Sequence, residues 1–378
     1  MGVQLKRVKL RGYKTIKDLG DNGLELRPLN VLIGANGAGK SNFISFFRLL
    51  SWSLGTAKGD LQVYISKQGG ASKLLHDGPD YTKEIEAEIR FKTEQGDNDY
   101  SFRLVYTNSG DTFIFADERI RFSDRSFDSP NKWIELGAGQ REAQLLAAAD
   151  SSVNLGVART AKAILHFLRE CKVFQFHNTS DTAPMRRKWR KSEGRWLKED
   201  AGNIAPFLYH MRRDSPSNYR RVIETLQLIV PFFNDFVLEP EFNNLQLQWR
   251  ERGGDIIFDA SQASDGMLRS IALVSLLSQP VEDLPGIIIL DEPELGLHPY
   301  AITVIAGLIR SVSKSVQIIL STQSTSLVDC FEPIDIIVVD RKGRESIFRR
   351  YSSTELGTWL EDYSVSELWE KNVLGGRP

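Results

Sequence analysis

The stretch "LNVLIGANGAGKSNFISFF", residues 29–47, decides the fold because it joins a short apolar run, a glycine-rich turn and a longer apolar-rich run. That order predicts a strand, a loop and a helix. Residues Gly34 to Ser41 fit the pattern G-x-x-x-x-G-K-[ST] at every fixed position. Glycines let backbone N–H groups turn inward around phosphate oxygens, and a helix N-terminus favours anions. The stretch therefore predicts a phosphate-binding loop.

Within this loop the residue types indicate a nucleotide with a metal ion. Lys40 is expected between the β- and γ-phosphates, and the Ser41 hydroxyl is expected to bind Mg²⁺. Guanine-reading proteins usually carry an N-K-x-D motif, which this sequence lacks, so GTP is disfavoured. The residues predicted to bind the nucleotide are Asn36, Gly37, Gly39, Lys40, Ser41 and Asn42.

A second stretch, "IIILDEPELGLHP", residues 287–299, supplies two adjacent acids at the end of an apolar strand. Such carboxylates are costly at the end of a buried strand unless a cation lies nearby. We expect Asp291 to bind Mg²⁺ and Glu292 to orient and deprotonate the attacking water. Pro293 ends the strand and turns the chain, so the metal site does not require Glu294.

The order of patterns along the chain predicts three regions. Residues 1–138 read as strands around the phosphate loop and its helix, residues 139–258 as a mainly helical lobe, and residues 259–378 as alternating strands and helices. Alternation of strands and helices predicts a parallel sheet. The helical region is then an insertion or second lobe of an α/β protein.

Composition excludes several classes of protein. The chain has 378 residues, a net charge of −1, 41% hydrophobic residues and two cysteines, which is typical of a globular protein in a reducing cytoplasm. The basic N-terminus lacks the apolar segment of a signal peptide. No run approaches the roughly 20 apolar residues of a membrane span, so no membrane partner is expected.

Three motifs in this order, "GANGAGKSN", "ASDGMLRSIAL" and "IIILDEPELGLHP", resemble the ABC-type ATPase heads of the SMC and RecF-like group. The similarity is greatest to the stand-alone prokaryotic branch without long coiled coils, which includes overcoming-lysogenization-like relatives. The resemblance implies an α/β P-loop NTPase with a mixed sheet, an antiparallel β subdomain and an inserted helical lobe. It also implies ATP and Mg²⁺ as cofactors.

The resemblance further implies that two copies close around two ATP molecules, as a homodimer or within a higher oligomer. "ASDGM" occupies the place of the signature motif, so Ser264 and the Gly266 backbone are expected to donate to the γ-phosphate of the other copy. From the residues alone, Ser264 and Asp265 are helix caps. The two roles are compatible.

Four other residues are candidates that the same resemblance suggests. Gln323 stands where the family usually has a histidine that contacts the γ-phosphate. Glutamine can donate a hydrogen bond there, but unlike histidine it cannot take up a proton or carry a charge. Gln175 is the candidate for the glutamine that senses Mg²⁺, and Arg11 is a candidate phosphate contact. His298 lies where the family faces its partner. Each also has an ordinary interpretation. Gln323 is then a polar residue at a strand end and Gln175 a buried strand residue without a special role. Arg11 is then a solvated charge and His298 a structural histidine.

The segment "RRKWRKSEGRWLK", residues 186–198, is a candidate surface for double-stranded DNA. Cations contact phosphates, and Trp189 and Trp196 could stack on bases. A solvated loop anchored by its tryptophans, or a protein-docking patch, explains the segment equally well. The predicted DNA contacts are Arg186, Arg187, Lys188, Arg190 and Lys191. Further cations on the N-terminal strand are Lys6, Arg7, Lys9 and Arg11.

Together these features favour an ATP-dependent switch that acts on DNA or on a separately encoded nuclease or toxin, as in DNA repair or anti-phage defence. One alternative is the nucleotide-binding subunit of a transporter. Asp265 and Met267 disfavour it, because transporter heads have glycine and glutamine there. The other is an ATP-binding scaffold with negligible turnover, which Gln323 leaves open.

Overall fold

The structure is a computed structural model that describes residues 3–54, 60–126, 130–357 and 359–377. Its strands are β1 (Gln4–Tyr13), β2 (Ile16–Asp18), β3 (Leu24–Glu25), β4 (Leu29–Ile33), β5 (Glu84–Lys92), β6 (Gly96–Thr107), β7 (Thr112–Asp124), β8 (Ile134–Gly137), β9 (Cys171–Phe174), β10 (Trp189–Arg190), β11 (Phe233–Phe236), β12 (Asn244–Leu245), β13 (Gln248–Glu251), β14 (Ile257–Asp259), β15 (Ile287–Asp291), β16 (Gln317–Thr322), β17 (Ile336–Lys342) and β18 (Glu345–Arg350). Its α-helices are α1 (Lys40–Ser53), α2 (Asp60–Lys67), α3 (Leu145–Ala149), α4 (Leu155–Arg169), α5 (Ile204–Asp214), α6 (Pro216–Ile229), α7 (Asp265–Leu277), α8 (Pro299–Val312), α9 (Thr325–Val328), α10 (Ser353–Leu356), α11 (Trp359–Asp362) and α12 (Val365–Glu370).

The central sheet has six strands in the order β18-β17-β4-β16-β15-β9. All neighbours in it pair in parallel except β17 and β18, which are antiparallel. β4, β15 and β16 are buried along their whole length, as expected of parallel strands covered on both faces. Because parallel strands end at one edge of a sheet, the phosphate loop, Asp291 and Gln323 lie along the same edge.

The two faces of the central sheet pack against two separate hydrophobic cores. Along β15, Ile288 and Leu290 belong to one core, and Ile287 and Ile289 belong to the other. Helices α5 to α8 fill the first core, whereas α1, α4 and the antiparallel sheet fill the second. The sheet edge is therefore held rigidly between two packed layers, which fixes the loops that leave it.

The second core is closed by a seven-stranded sheet with the path β2-β1-β5-β6-β7-β8, in which β3 also pairs with β1. Along β5, "EIEAEIRFK" alternates buried and partly exposed residues, as one half-buried face requires. The strands that the sequence predicts in residues 84–92, 100–106 and 111–122 are β5, β6 and β7, which pair one after another as an antiparallel meander. The mixed α/β fold class with an antiparallel β part is confirmed.

The middle of the chain contains α3, α4 and α6 in the three segments that the sequence predicts to be helical, residues 140–150, 158–171 and 218–233, and α5 as a further helix that is not predicted. It also holds short strands that the sequence does not reveal. β9 pairs with β15 and so belongs to the central sheet, and β11, β13 and β14 form a small sheet that leads directly to α7. Strands of two to four residues are too short to show a clear period.

Candidate nucleotide-binding and hydrolysis site

The phosphate loop lies between the end of β4 and the start of α1, where glycines are required by close packing. Gly34 and Gly39 have φ angles of 154° and 117°, outside the range that other residues adopt easily. A Cβ on Gly34 would lie 2.1 Å from the carbonyl oxygen of Val339, and one on Gly39 would lie 2.1 Å from Ser346 Oγ. The loop therefore fits against the hairpin of β17 and β18 only with glycine at these places.

This hairpin also holds the outer side of the loop by hydrogen bonds. Ser346 Oγ donates to the carbonyl oxygen of Ala38 at 2.5 Å, and Arg341 Nη1 donates to that of Gly37 at 3.1 Å. These bonds hold the carbonyl groups of Gly37 and Ala38 on the outer side of the loop, as is required if N–H groups of the loop are to face phosphate. Neither residue was identified from the sequence, since nothing in the local pattern of β17 and β18 points to the loop.

Lys40 is buried at the start of α1, and its ammonium group donates to backbone oxygens of the loop. Nζ lies 2.5 Å from the oxygen of Gly34 and 3.1 Å from that of Ala35. Burial lowers the pKa of Lys40, and the carboxylates of Glu292 and Asp291 act in the opposite direction. The cation therefore lies between the loop and the acids of β15, as expected of a phosphate-binding lysine.

Ser41 and Asp291 come together at the centre of the sheet edge. Ser41 Oγ donates to Asp291 Oδ1 at 3.2 Å, and Ser321 Oγ, at the end of β16, donates to the same oxygen at 2.6 Å. A carboxylate and a hydroxyl that converge are ligands of the kind that Mg²⁺ takes, so these residues fit the metal. In the described part of the chain no three His, Cys, Asp or Glu side chains could hold a metal by themselves, and phosphate oxygens and water would complete the set.

Glu292 differs from its neighbour in having a free carboxylate. Its backbone adopts a left-handed conformation with φ of 44°, and its N–H donates to the carbonyl oxygen of Ser321 at 3.0 Å. Among the described residues no hydrogen bond or ion pair engages its side chain. A non-glycine residue in this conformation is strained, and such strain is concentrated at functional sites. The carboxylate is available to accept a proton from water.

Gln175 follows β9 and lies beside the end of β15, but it is already engaged. Its Oε1 accepts from Arg48 Nη2 at 2.6 Å, and its Nε2 lies 2.9 Å from His177 Nδ1. His177 Nε2 in turn lies 2.8 Å from the carbonyl oxygen of Asp291. These two hydrogen bonds link Gln175 to the Asp291 backbone through His177. Its role as a metal sensor stays a prediction. The order polar, apolar, polar in Gln175, Phe176 and His177 directly after a strand predicts that Gln175 and His177 lie on the same side of an extended chain. This pattern is the sequence signal that could have identified His177.

The signature motif begins α7, and its hydroxyl caps the helix. Ser264 Oγ accepts from the N–H of Met267 at 3.2 Å, so the predicted cap is confirmed. Ser264 and Asp265 are exposed. A Cβ on Gly266 would lie 2.7 Å from the carbonyl oxygen of Gly296, in the turn after β15. Close packing therefore joins the start of α7 to that turn.

Two buried arginines hold the signature motif in place. Arg269, on α7, donates to the carbonyl oxygens of Phe176 and Leu295 at 3.3 and 2.9 Å. Arg186 donates to the carbonyl oxygens of Ala260, just before the motif, and of Ala263 at 3.3 Å. The Arg186 side chain is 9% exposed. Its prediction as a DNA contact is wrong for this reason, because its donors satisfy interior carbonyls.

The remaining candidates, Gln323, His298 and Arg11, each have a polar contact outside the phosphate loop. Gln323 directly follows β16, and its N–H donates to Glu294 Oε1 at 3.3 Å. His298 caps α8, accepting from the N–H of Tyr300 at 3.3 Å, and is exposed. Arg11 forms an ion pair of 2.7 Å with Asp18 in the hairpin of β1 and β2. This partner raises the pKa of Arg11, and no hydrogen bond joins Arg11 to the loop within the described residues. Its role as a phosphate contact stays a prediction.

Other members of this hairpin do contact the loop region. Asn42 Nδ2 donates to Thr15 Oγ1 at 2.7 Å, and the Thr15 and Ser346 hydroxyl oxygens lie 2.7 Å apart. Asn42 is thus engaged with the strand turn at residue 15. The other cations of β1 pair with acids, at distances of 2.8 to 3.9 Å, in Arg7–Glu88, Lys9–Glu88 and Lys6–Glu25. These pairs neutralise much of the basic patch predicted on the first strand.

The basic segment retains exposed cations, although its tryptophans are partly covered. Arg187, Lys188 and Arg190 are exposed, and Lys188 pairs with Glu241 at 2.6 Å. Lys191 lies over the Tyr209 ring at 5.1 Å. Lys198 lies over one face of the Trp189 ring at 3.5 Å, and Arg195 lies over the Trp196 ring at 5.4 Å, although Trp196 is 55% exposed.

Fold and site together define an ABC-type ATPase head of the SMC and RecF-like class, and the predicted resemblance is confirmed. A "SmcHead bound to the C-winged helix domain of ScpA" superposes with a TM-score of 0.59 at 16% identity, covering 94% of this chain and 99% of that one. A Smc head domain with an extended coiled coil, bound to the C-terminal domain of ScpA and derived from Pyrococcus furiosus, gives 0.57 at 13% identity, covering 95% and 99%.

The chain belongs to the family described as "AAA domain, putative AbiEii toxin, Type IV TA system", whose sequence profile matches residues 29–329. The curated protein "Structural maintenance of chromosomes protein 3" of Dictyostelium discoideum is 28% identical over 152 residues, which are 36% of this chain. The chain spans only 10% of that relative. P-loop proteins of this class are usually ATPases that bind nucleotide, typically with Mg²⁺. Within the described ranges no helix has the length and apolarity to cross a membrane.

Proposed function

We propose that the chain is a slow ATPase that acts as a molecular switch, closing around ATP with a second copy and reopening after hydrolysis. The observation that carries the proposal is the hydrogen bond of 3.2 Å between Ser41 and Asp291, beside the free carboxylate of Glu292. These residues suit Mg²⁺ bound to the β- and γ-phosphates and a water activated by a general base. Gln323 would donate a hydrogen bond to the γ-phosphate, but an amide cannot take up or transfer a proton or carry a charge. This favours slow turnover.

The second copy enters the proposal because one chain leaves the site incomplete. Ser264 is exposed at the start of α7, and within the described residues no hydrogen bond joins it to the phosphate loop of its own chain. We propose that Ser264 and the Gly266 N–H of the second copy donate to the γ-phosphate. Helix N-termini suit this purpose because their N–H groups point outward and favour negative charge. A homodimer, alone or within a higher oligomer, follows.

The biological role in the proposal is control of DNA or of a separate effector in the cytoplasm. The family's description as a putative toxin supports anti-phage defence with a nuclease or toxin partner. The exposed cations Arg187, Lys188 and Arg190 support a contact with double-stranded DNA, as in DNA repair. In this proposal residues 139–258 form the lobe that meets DNA or the effector, and residues 1–138 and 259–378 form the ATPase lobe.

The test is the rate of ATP hydrolysis by the wild-type protein, with and without Mg²⁺ and double-stranded DNA, together with its mass in solution. We expect hydrolysis that requires Mg²⁺, a dimer that forms only with ATP, and stimulation by DNA. Tight ATP binding without hydrolysis would leave the scaffold alternative standing. Failure to bind ATP would refute the proposal as a whole.

A further inference from the structure

Glu294, three residues after Asp291, is an acid that the proposed reaction does not use. It is 8% exposed, although the proline before it breaks the strand. One carboxylate oxygen, Oε1, accepts from Thr322 Oγ1 at 2.5 Å and from the N–H of Gln323 at 3.3 Å. The side chain thus reaches from the turn after β15 to the end of β16. Gln323, the predicted γ-phosphate contact, directly follows that strand.

The second carboxylate oxygen of Glu294, Oε2, differs from Oε1 in its hydrogen bonding. Oε2 is buried, and among the described residues no donor reaches it. A buried acceptor without a partner destabilises a protein, so each one calls for an explanation. Burial raises the pKa of Glu294, and the nearby charge of Glu292 acts in the same direction. The hydrogen bonds of this carboxyl group are therefore those made by Oε1.

The contacts of Glu294 extend in both directions along the chain. Its carbonyl oxygen accepts from the N–H of Leu297 at 3.0 Å, which shapes the exposed turn before α8. Thr322 Oγ1, besides donating to Glu294, accepts from the N–H of Ser324 at 2.9 Å, and Ser324 caps α9. One side chain therefore joins the turn that packs against the signature motif to the segment that carries Gln323.

We propose that Glu294 is a positioning residue that locks the turn at residues 294–297 to the segment at residues 322–324, so that the two move as one unit. The inference rests on the proposed function. When a second copy docks against the exposed turn, the lock would place Gln323 at the γ-phosphate. Without it the phosphate loop would still bind ATP, because Lys40 and Ser41 lie on other elements, but Gln323 would be misplaced.

The lock needs an acceptor at Oε1 and no charge, which gives a sharp choice of variants. Glu294→Gln keeps the acceptor oxygen, whereas Glu294→Met keeps the length of the side chain and removes both oxygens. Thr322→Val removes the donor on the other side with little change of shape. The measurements are the Kd for ATP under conditions without turnover, and kcat and KM for hydrolysis.

We expect Glu294→Met and Thr322→Val each to lower kcat about tenfold or more, since small misplacements at a reacting centre have effects of this size. The Kd for ATP should stay within about twofold of wild type, and Glu294→Gln should retain most of kcat. The loss in the double variant Glu294→Met/Thr322→Val should be smaller than the product of the two single losses, because both changes remove the contact between Glu294 and Thr322. Wild-type kcat in Glu294→Met, or an equal loss in Glu294→Gln, would overturn the proposal.

Glu118 offers a matched control far from the nucleotide site. Like Glu294 it is buried, accepts from Tyr100 Oη at 2.9 Å and from the N–H of Leu145 at 3.0 Å, and has a pKa raised by burial. Glu118→Gln should lower thermal stability and leave kcat unchanged, which separates loss of the lock from loss of stability. If the wild type hydrolyses no ATP, the proposed function fails. If it does and Glu294→Met matches it, only the lock fails.

Discussion

The Ser41 hydroxyl donates a hydrogen bond of 3.2 Å to the Asp291 carboxylate, although 250 positions separate the two residues in the sequence. They meet because β4 and β15 are parallel strands on either side of β16, so that the ends of all three lie at one edge. Ser321, at the end of β16, donates to the same carboxylate oxygen at 2.6 Å. The sheet order thus brings the phosphate loop and the acids into one site before any nucleotide arrives.

Replacing Lys40 with alanine should abolish ATP binding. The ammonium group now bonds to carbonyl oxygens of the loop at 2.5 and 3.1 Å, and no other buried cation of the described residues shares its position between the loop and the acids. Equilibrium binding of a fluorescent ATP analogue measures the change. Lys67→Ala, at an exposed cation over the Trp52 ring, should bind as wild type does. Unchanged affinity in Lys40→Ala would remove the phosphate-loop assignment.

Replacing Glu292 with glutamine should lower ATP turnover on the order of 10² or more, because glutamine cannot take a proton from the attacking water. The shape of the site is preserved, so ATP should remain bound and hold two copies together. Size-exclusion chromatography with light scattering detects such a dimer, and Glu282→Gln, at an exposed acid, is the control. A Glu292→Gln variant that hydrolyses at the wild-type rate and stays monomeric would contradict both roles.

The phosphate loop and the acids of β15 could be predicted from sequence because each depends on a short pattern with a local physical cause. The strand, turn and helix around Lys40 follow from neighbouring residues, and their meeting with Asp291 follows from the parallel sheet that strand-helix alternation predicts. Ser346, which donates to the Ala38 carbonyl oxygen, lies 308 positions away. Its hairpin has an ordinary strand sequence, so no local signal reveals that contact.

The buried polar residues show the same limit. A cluster of arginines and lysines predicts a surface, yet Arg186 turns inward because the carbonyl groups beside the signature motif need donors. Likewise, Glu294 follows a proline and has the pattern of a solvated turn, but it lies 8% exposed against Thr322. In both cases the tertiary partner, rather than the local composition, decides where the side chain lies.

Replacing Ser264 with arginine should block closure of the dimer while leaving ATP binding to the monomer intact. Mixed in equal amounts with Lys40→Ala, it should restore hydrolysis to about a quarter of the wild-type rate, because half of the random encounters between copies would pair the two variants and each such pair would hold one complete site of two. The change also removes a helix cap worth about 1 kcal/mol. Ser364→Arg removes the equivalent cap of α12 and should keep its activity. No recovery in the mixture would contradict a site shared between two copies.

Reversing the charges of Arg187, Lys188 and Arg190 to glutamate should weaken binding of double-stranded DNA. These side chains are exposed, and each phosphate contact that is lost should reduce the slope of log K against log salt by about 0.9. Fluorescence anisotropy at several salt concentrations measures the slope. Arg310→Glu/Lys314→Glu/Lys371→Glu, which reverses three exposed cations of residues 259–378, controls for net charge. If the wild type itself binds DNA without salt dependence, or the control loses as much affinity, the basic segment serves another partner.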